Sequence, residues 1–299
     1  MILRDLPRPW QLFLVMRGSV VPRIAPKILI TLVWAVAILL VDHSLTPLPR
    51  LSIPAMGVFG LALSLFLGFR NNAAYDRWWE GRRIWGGMVS GLRSFAQELE
   101  VFGASEADRQ FILTHILAFH HLHRRQLRGD AVEEDVRKWV GDAADALLTA
   151  DGPDVALRAV SGRLAEMRAD GRIDGFGARH LADRLAGFAA AQAGNERLLT
   201  TPLPFVYSLL VQRTAYLYCL LLPFGLLDSA GWFEPVICAV VAYVFFGLSE
   251  VSHELERPFA DAPNALPLSA LCRVMERSVC HALGWPAPPP AKQVDGVLS

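Results

Sequence analysis

From Leu51 to Phe69 the chain carries no charged residue, and this stretch is one of four apolar segments along its length. A helix needs about 20 predominantly apolar residues to cross the hydrocarbon core of a bilayer. The first segment runs from about Pro26 to Val41, uncharged after Lys27 and short for a span. The third, Leu203 to Leu227, holds one charge, Arg213, and the fourth, about Gly231 to Leu248, holds Glu234 near its start. The four pair into two hairpins, closed by Asp42 to Arg50 and by Asp228 to Gly231. A chain built this way reads as a polytopic membrane protein.

Composition agrees. Of 299 residues 53% are hydrophobic and only 19% charged, where soluble domains hold closer to a quarter charged. Lys+Arg and Asp+Glu number 29 each and are interspersed, so no net field invites nucleic acid. Cys219, Cys238, Cys272 and Cys280 form no CxxC pair and no zinc pattern. They read as small buried hydrophobes, without a disulfide framework. Charges and prolines interrupt MILRDLPRPWQLF before an apolar signal core can form, so no cleaved signal peptide is expected.

Both hairpin loops are poor in Lys and Arg. Arg4, Arg8, Arg17, Arg23 and Lys27 precede the first span, and Arg70, Arg77, Arg82 and Arg83 follow the second. The positive-inside rule then puts both termini and the long middle region in the cytoplasm, with the spans in the plasma (inner) membrane. The second span continues as a helix-compatible pattern to about Phe102, without proline, carrying Trp78, Trp79 and Trp85. Residues 106–201 have the Ala, Leu, Glu and Arg content of a soluble helical region, broken at Gly129-Asp130, at Asp151-Gly152-Pro153 and between Gly171 and Gly177. No strand-like alternation occurs, so the expected class is all-α with four transmembrane helices. The expected organisation is 1–104 for the N-terminal segment and first two spans with their extension, 105–201 for the cytoplasmic helices, 202–257 for the last two spans, and 258–299 for a C-terminal segment and tail.

HILAFHHLHRR gathers His115, His120, His121 and His123. Membrane oxidoreductases hold iron with several histidine boxes on converging helices, whereas here there is one cluster, and only His120 and His123 share a helix face. Solvated or hydrogen-bonded positions on a helix surface are expected, with no metal, no cofactor and no catalytic residue. Arg213 and Glu234, being costly inside lipid, are expected to pair, to sit at an interface or to face a pore. On the second span Leu61, Leu65 and Phe69 recur every fourth residue beside Gly57, Gly60 and Gly68. Periodicity alone makes this stripe ordinary packing or lipid contact.

FLGFRNNAAYDRWWEGRRIWGGMV, however, resembles the bestrophin signature, particularly its bacterial branch. RGSVVPRIAPKI, TPLPFVYSLLVQRT and LERPFADAPNALPL agree as well, in order, over nearly the whole chain. The resemblance implies a homo-pentamer in the lipid bilayer, passing small monovalent ions through a central pore with no nucleic-acid partner. It places the pore neck on Leu61, Leu65 and Phe69, and a second, cytoplasmic constriction on Phe176, Arg179 or His180. Animal bestrophins clasp calcium with an acidic run after the fourth span. Residues 260–265 here hold Asp261 as their only carboxylate, and calcium takes six to eight oxygens, so no calcium gating is expected. Selectivity between anions and cations stays open. The alternatives are a histidine-box membrane oxidoreductase and a non-conducting membrane scaffold or regulator.

Overall fold

The structure is a computed structural model that describes residues 16, 18–150, 152–293, 296 and 298. The signal-peptide reading, together with Arg4, Arg8 and Arg17, lies outside the described residues, as does part of the tail. Among the described residues every regular element is helical. In chain order they are α1 (Val21–Ser44), α2 (Ile53–Val101), α3 (Glu106–Arg128), α4 (Glu133–Val140), α5 (Ala144–Thr149), α6 (Asp154–Ala169), α7 (Gly175–Thr200), α8 (Phe205–Ala230), α9 (Glu234–Leu255) and α10 (Leu268–Ala282).

They sort into two compact units. One takes the described residues of Asp5–Trp78 with Pro202–Arg257, and the other takes Trp79–Thr201 with Pro258–Ser299. The first therefore holds α1, the N-terminal half of α2, α8 and α9. Val21–Ser44, Ile53–Val101 and Phe205–Leu255 are each long and apolar enough to cross a membrane, and the last comprises α8 and α9, separated by a short 3-10 turn at Gly231–Phe233. The first apolar segment is short for a span by hydropathy, but α1 has 24 residues, about 36 Å of helix against about 30 Å of hydrocarbon. Its polar ends are helical too, and Pro22 sits in the first turn, where a missing N–H leaves no bond unmade.

This unit packs through small residues and one apolar seam. Met56, Leu63 and Leu67 of α2 join Val211, Ala215, Tyr218 and Leu222 of α8 and Cys238, Ala242 and Phe245 of α9. A Cβ on Gly60 would stand 2.8 Å from the Tyr218 hydroxyl, so only glycine permits this approach of α2 to α8. At the end of the seam Arg70 is 1% exposed. Its guanidinium donates to Ser249 Oγ at 3.1 Å and to Glu256 at 3.2 Å. Arg77 donates to the Glu256 carbonyl at 3.3 Å, serving the C-terminal end of α9. At the opposite end Arg50 bridges Asp42 (2.5 Å) and Asp228 (2.9 Å), joining the two hairpin loops.

In the other unit α3 is the central helix, buried along almost its whole length from Ile112 to Arg124. Ser105 caps it, accepting from the Asp108 amide, and Gly129 ends it in the left-handed conformation at φ 79°. Asp108 in the first turn is fully buried and paired with Arg163 and Arg172. Those guanidiniums hold its carboxyl below the ordinary range, against the opposing effect of burial.

The expected surface position of the histidines is corrected here. His115, His120, His121 and His123 are all buried, because α6, α4, α10 and α7 pack around α3 and leave residues 112–124 no solvent face. Hydrogen bonding holds for His115, His120 and His123. Nδ1–H of His115 donates to the Phe111 carbonyl at 2.7 Å, and that of His120 to the Ile116 carbonyl at 2.6 Å. His123 accepts from Asn195 at 3.0 Å through Nε2 and donates through Nδ1 to Gln126 at 3.0 Å. It also stacks on Trp85, with ring centroids 5.8 Å apart.

Burial pushes His120 down to about 3 and His123 down to about 4, so both are neutral in the folded protein. In an unfolded chain they take up protons below about pH 6.5. Stability is therefore complete above that pH and falls as pH drops toward about 4, by up to about 1.4 kcal/mol per pH unit per histidine. Thermal melting monitored by tryptophan fluorescence is expected to show a lower midpoint at about pH 5 than at about pH 7. Equal midpoints would contradict the neutral, buried state of these rings.

Candidate functional site

The two faces of α2 differ sharply. Met56, Gly60, Leu63, Leu67, Arg70 and Ala74 are buried in a seam that alternates spacings of four and three. That seam takes up one side of the helix. The other side carries Leu61, Leu65 and Phe69, which are 73%, 58% and 55% exposed. Adding a Cβ to Gly57 or Gly68 would meet nothing within 4 Å, so the chain's own packing leaves this face bare. Three large apolar side chains, one turn apart on an unoccupied face, can line a pore, meet lipid or touch another copy of the chain.

Sequence reasoning stops this stripe at Phe69. At about 100° per residue the same arc continues through Asn72 and Asp76, and both are exposed. The signal is present in the spacing, but a change from apolar to polar residues hides it.

The three residues expected at a second constriction lie at the start of α7. Asp174 caps this helix by accepting from the Gly177 amide at 2.7 Å. Phe176 projects from the first turn and is 85% exposed, and Arg179 is exposed too. His180 turns instead toward α2, with Nε2 3.2 Å from Glu98 and its ring 5.8 Å from that of Phe102.

Of the two charges inside apolar segments, Arg213 is exposed and Glu234 is fully buried. Neither carboxylate oxygen of Glu234 has a hydrogen-bond partner among the described residues. The loop after α9 is organised by a guanidinium. Arg128 donates to the carbonyls of Phe259 at 3.1 Å and Leu266 at 2.6 Å, while Asp261 is exposed. Elsewhere His121, Asp135 and Glu276 gather ligand-type atoms from three helices, a grouping that spacing within a single helix could not reveal.

The family described as Bacterial/Fungal Bestrophin protein matches residues 1–281. The voltage-dependent anion channel-forming protein mll4386 of Mesorhizobium japonicum is 45% identical over 291 residues, covering 97% of this chain and 94% of that one. Voltage-dependent anion channel-forming protein YneE of Escherichia coli is 32% identical, covering 92% of each. A bacterial bestrophin homologue from Klebsiella pneumoniae, known from its crystal structure, superposes with a TM-score of 0.82 at 29% identity, covering 88% of this chain and 99% of that chain. A family match over nearly the full length, on an all-helical fold shared with a solved homologue, identifies the chain as a member of the bacterial/fungal bestrophin family.

Proposed function

We propose that the protein passively conducts small monovalent ions as a homo-pentamer, with α2 lining the pore and Leu61, Leu65 and Phe69 forming its neck. The observation that carries this reading is the bare apolar stripe on α2, opposite the seam that packs the helix into its own unit. Five such stripes around an axis stack as three apolar rings. A ring of this kind offers an ion nothing in place of its hydration shell, so it blocks when narrow and conducts when wide. The curated relatives, named as channel-forming proteins, support conduction over a scaffold role. The termini and the α3–α7 region lie on the cytoplasmic side of the inner membrane, in keeping with the basic residues that flank the spans.

At the second constriction the exposure of Phe176 and Arg179 favours them over His180, which is engaged by Glu98. A ring of Phe176 is neutral and narrows the path without selecting charge, whereas a ring of Arg179 favours anions. Calcium does not gate the channel in this reading: Asp261 is the only carboxylate in residues 260–265, and a guanidinium already occupies the loop carbonyls. A histidine-box oxidoreductase is disfavoured because His115 and His120 turn to carbonyls of their own helix instead of converging on one point.

Ion sign has two readings. The names of the relatives favour anions. A ring of Asp76 below the neck favours cations, since clustered carboxylates attract them. A planar-bilayer recording of purified protein under a KCl gradient decides between them, as the reversal potential follows either chloride or potassium. If potassium carries the current, Asp76→Asn lowers that preference; unchanged selectivity would remove Asp76 from the pathway. Leu65→Ala, at a site outside the packed seam, is expected to leave assembly intact and raise single-channel conductance by about twofold or more. Unchanged conductance from assembled mutant would overturn the neck assignment. Silence from both wild type and mutant would favour the scaffold.

A further inference from the structure

In the second unit, α3, α4 and α10 bring His121, Asp135 and Glu276 together. One ligand atom from each lies within 4.8 Å of the other two. His121 Nε2 is 3.1 Å from Glu276 Oε1, and Nδ1 is 3.6 Å from Asp135 Oδ2. The side chains of His121 and Glu276 are 1% and 2% exposed, whereas that of Asp135 is 33% exposed and gives the cluster an opening to solvent.

The cluster is short of hydrogen bonds for a place so well buried. Neither ring nitrogen of His121 has a hydrogen-bond partner among the described residues. A buried polar atom left unpaired is destabilising, and such atoms call for an explanation such as an ion. The contact between Nε2 and Glu276 is close enough for a hydrogen bond but misaligned for one. An imidazolium held between two carboxylates would aim its N–H bonds along the N···O lines. Two ligands of one ion behave differently, because their lone pairs converge on a point beside the line joining them. The 3.1 Å separation is also near the edge of a tetrahedron around zinc, about 3.3 Å for bonds of about 2.0 Å.

We propose that His121, Asp135 and Glu276 form a binding site for a divalent transition cation of the zinc type, with water completing the coordination. One imidazole nitrogen with two carboxylate oxygens is a donor set that suits zinc. The surrounding charges are compatible. Arg124 pairs with Asp135 at 2.9 Å and with Asp130 at 3.3 Å, and Arg273 pairs with Glu276 Oε2 at 2.7 Å, leaving Glu276 Oε1 to the ion. Asp135 and Glu276 are thus each held by one guanidinium. The guanidiniums orient the carboxylates as outer-shell partners do in metal sites. The ion would pin α4 and α10 to the central helix, a role independent of whether the protein conducts.

The test uses full-length protein purified in detergent, treated with chelator, and titrated with zinc chloride alone. Metal analysis after desalting and calorimetry are expected to give about one zinc per chain, with a rise in the thermal melting midpoint that magnesium does not produce. Asp135→Asn, at the accessible edge of the site, weakens zinc binding by at least about tenfold while the fold is kept. Glu276→Gln does the same. Absence of saturable zinc uptake by the wild-type protein would overturn the site. So would binding by both variants as tight as that of wild type, which would move the ion elsewhere, to the cysteines or the scattered histidines.

Discussion

Within hydrocarbon a helix has no partner for its backbone except itself, and this constraint shapes everything else in the membrane unit. Association has to be achieved by side-chain faces. On α2 one face is spent entirely on the helix's own unit, through Met56, Gly60, Leu63, Leu67 and Arg70. Gly60 lets Tyr218 come close, and Arg70 ends the seam with hydrogen bonds to α9. Because that face is fully committed, the opposite one is free to present Leu61, Leu65 and Phe69 outward. The candidate site thus follows from packing on the other side of the same helix.

Much of this is legible in the sequence. The four apolar segments, the long second helix and the polar helical stretch after it all follow from hydropathy and from the lack of proline between Pro54 and Pro153. The spacing of Leu61, Leu65 and Phe69 is visible as well, but not its exposure. A stripe that packs and a stripe that stands free look identical until the neighbours are known. Hydropathy understates the length of α1 because it marks the part in lipid, whereas hydrogen bonding carries the helix on through Lys27 and Asp42.

The histidine cluster is misread from sequence for a related reason. Charged and polar residues on a helix usually mark a solvent face, and His120, His121 and His123 sit among arginines. Here the middle of the helix is enclosed, and three of the rings find a partner in a carbonyl one turn back or an asparagine, while His121 lies between two carboxylates without a hydrogen bond. Those carboxylates come from Asp135 and Glu276, far apart in the chain and on helices of their own. No local pattern announces a grouping assembled from three helices.

Arg70 carries a consequence for how such a pore could move. Its guanidinium ties the lower part of α2 to Ser249 and Glu256, so turning the helix about its axis would strip a buried charge of its partners. Rigid rotation is thereby penalised, while Leu61, Leu65 and Phe69 lie outside the seam and can change rotamer without disturbing it. Side chains of that kind reorient in picoseconds to nanoseconds when unhindered. In the proposed pore the backbone then acts as a fixed frame, and the variable part of the aperture is the hydrocarbon hung on it.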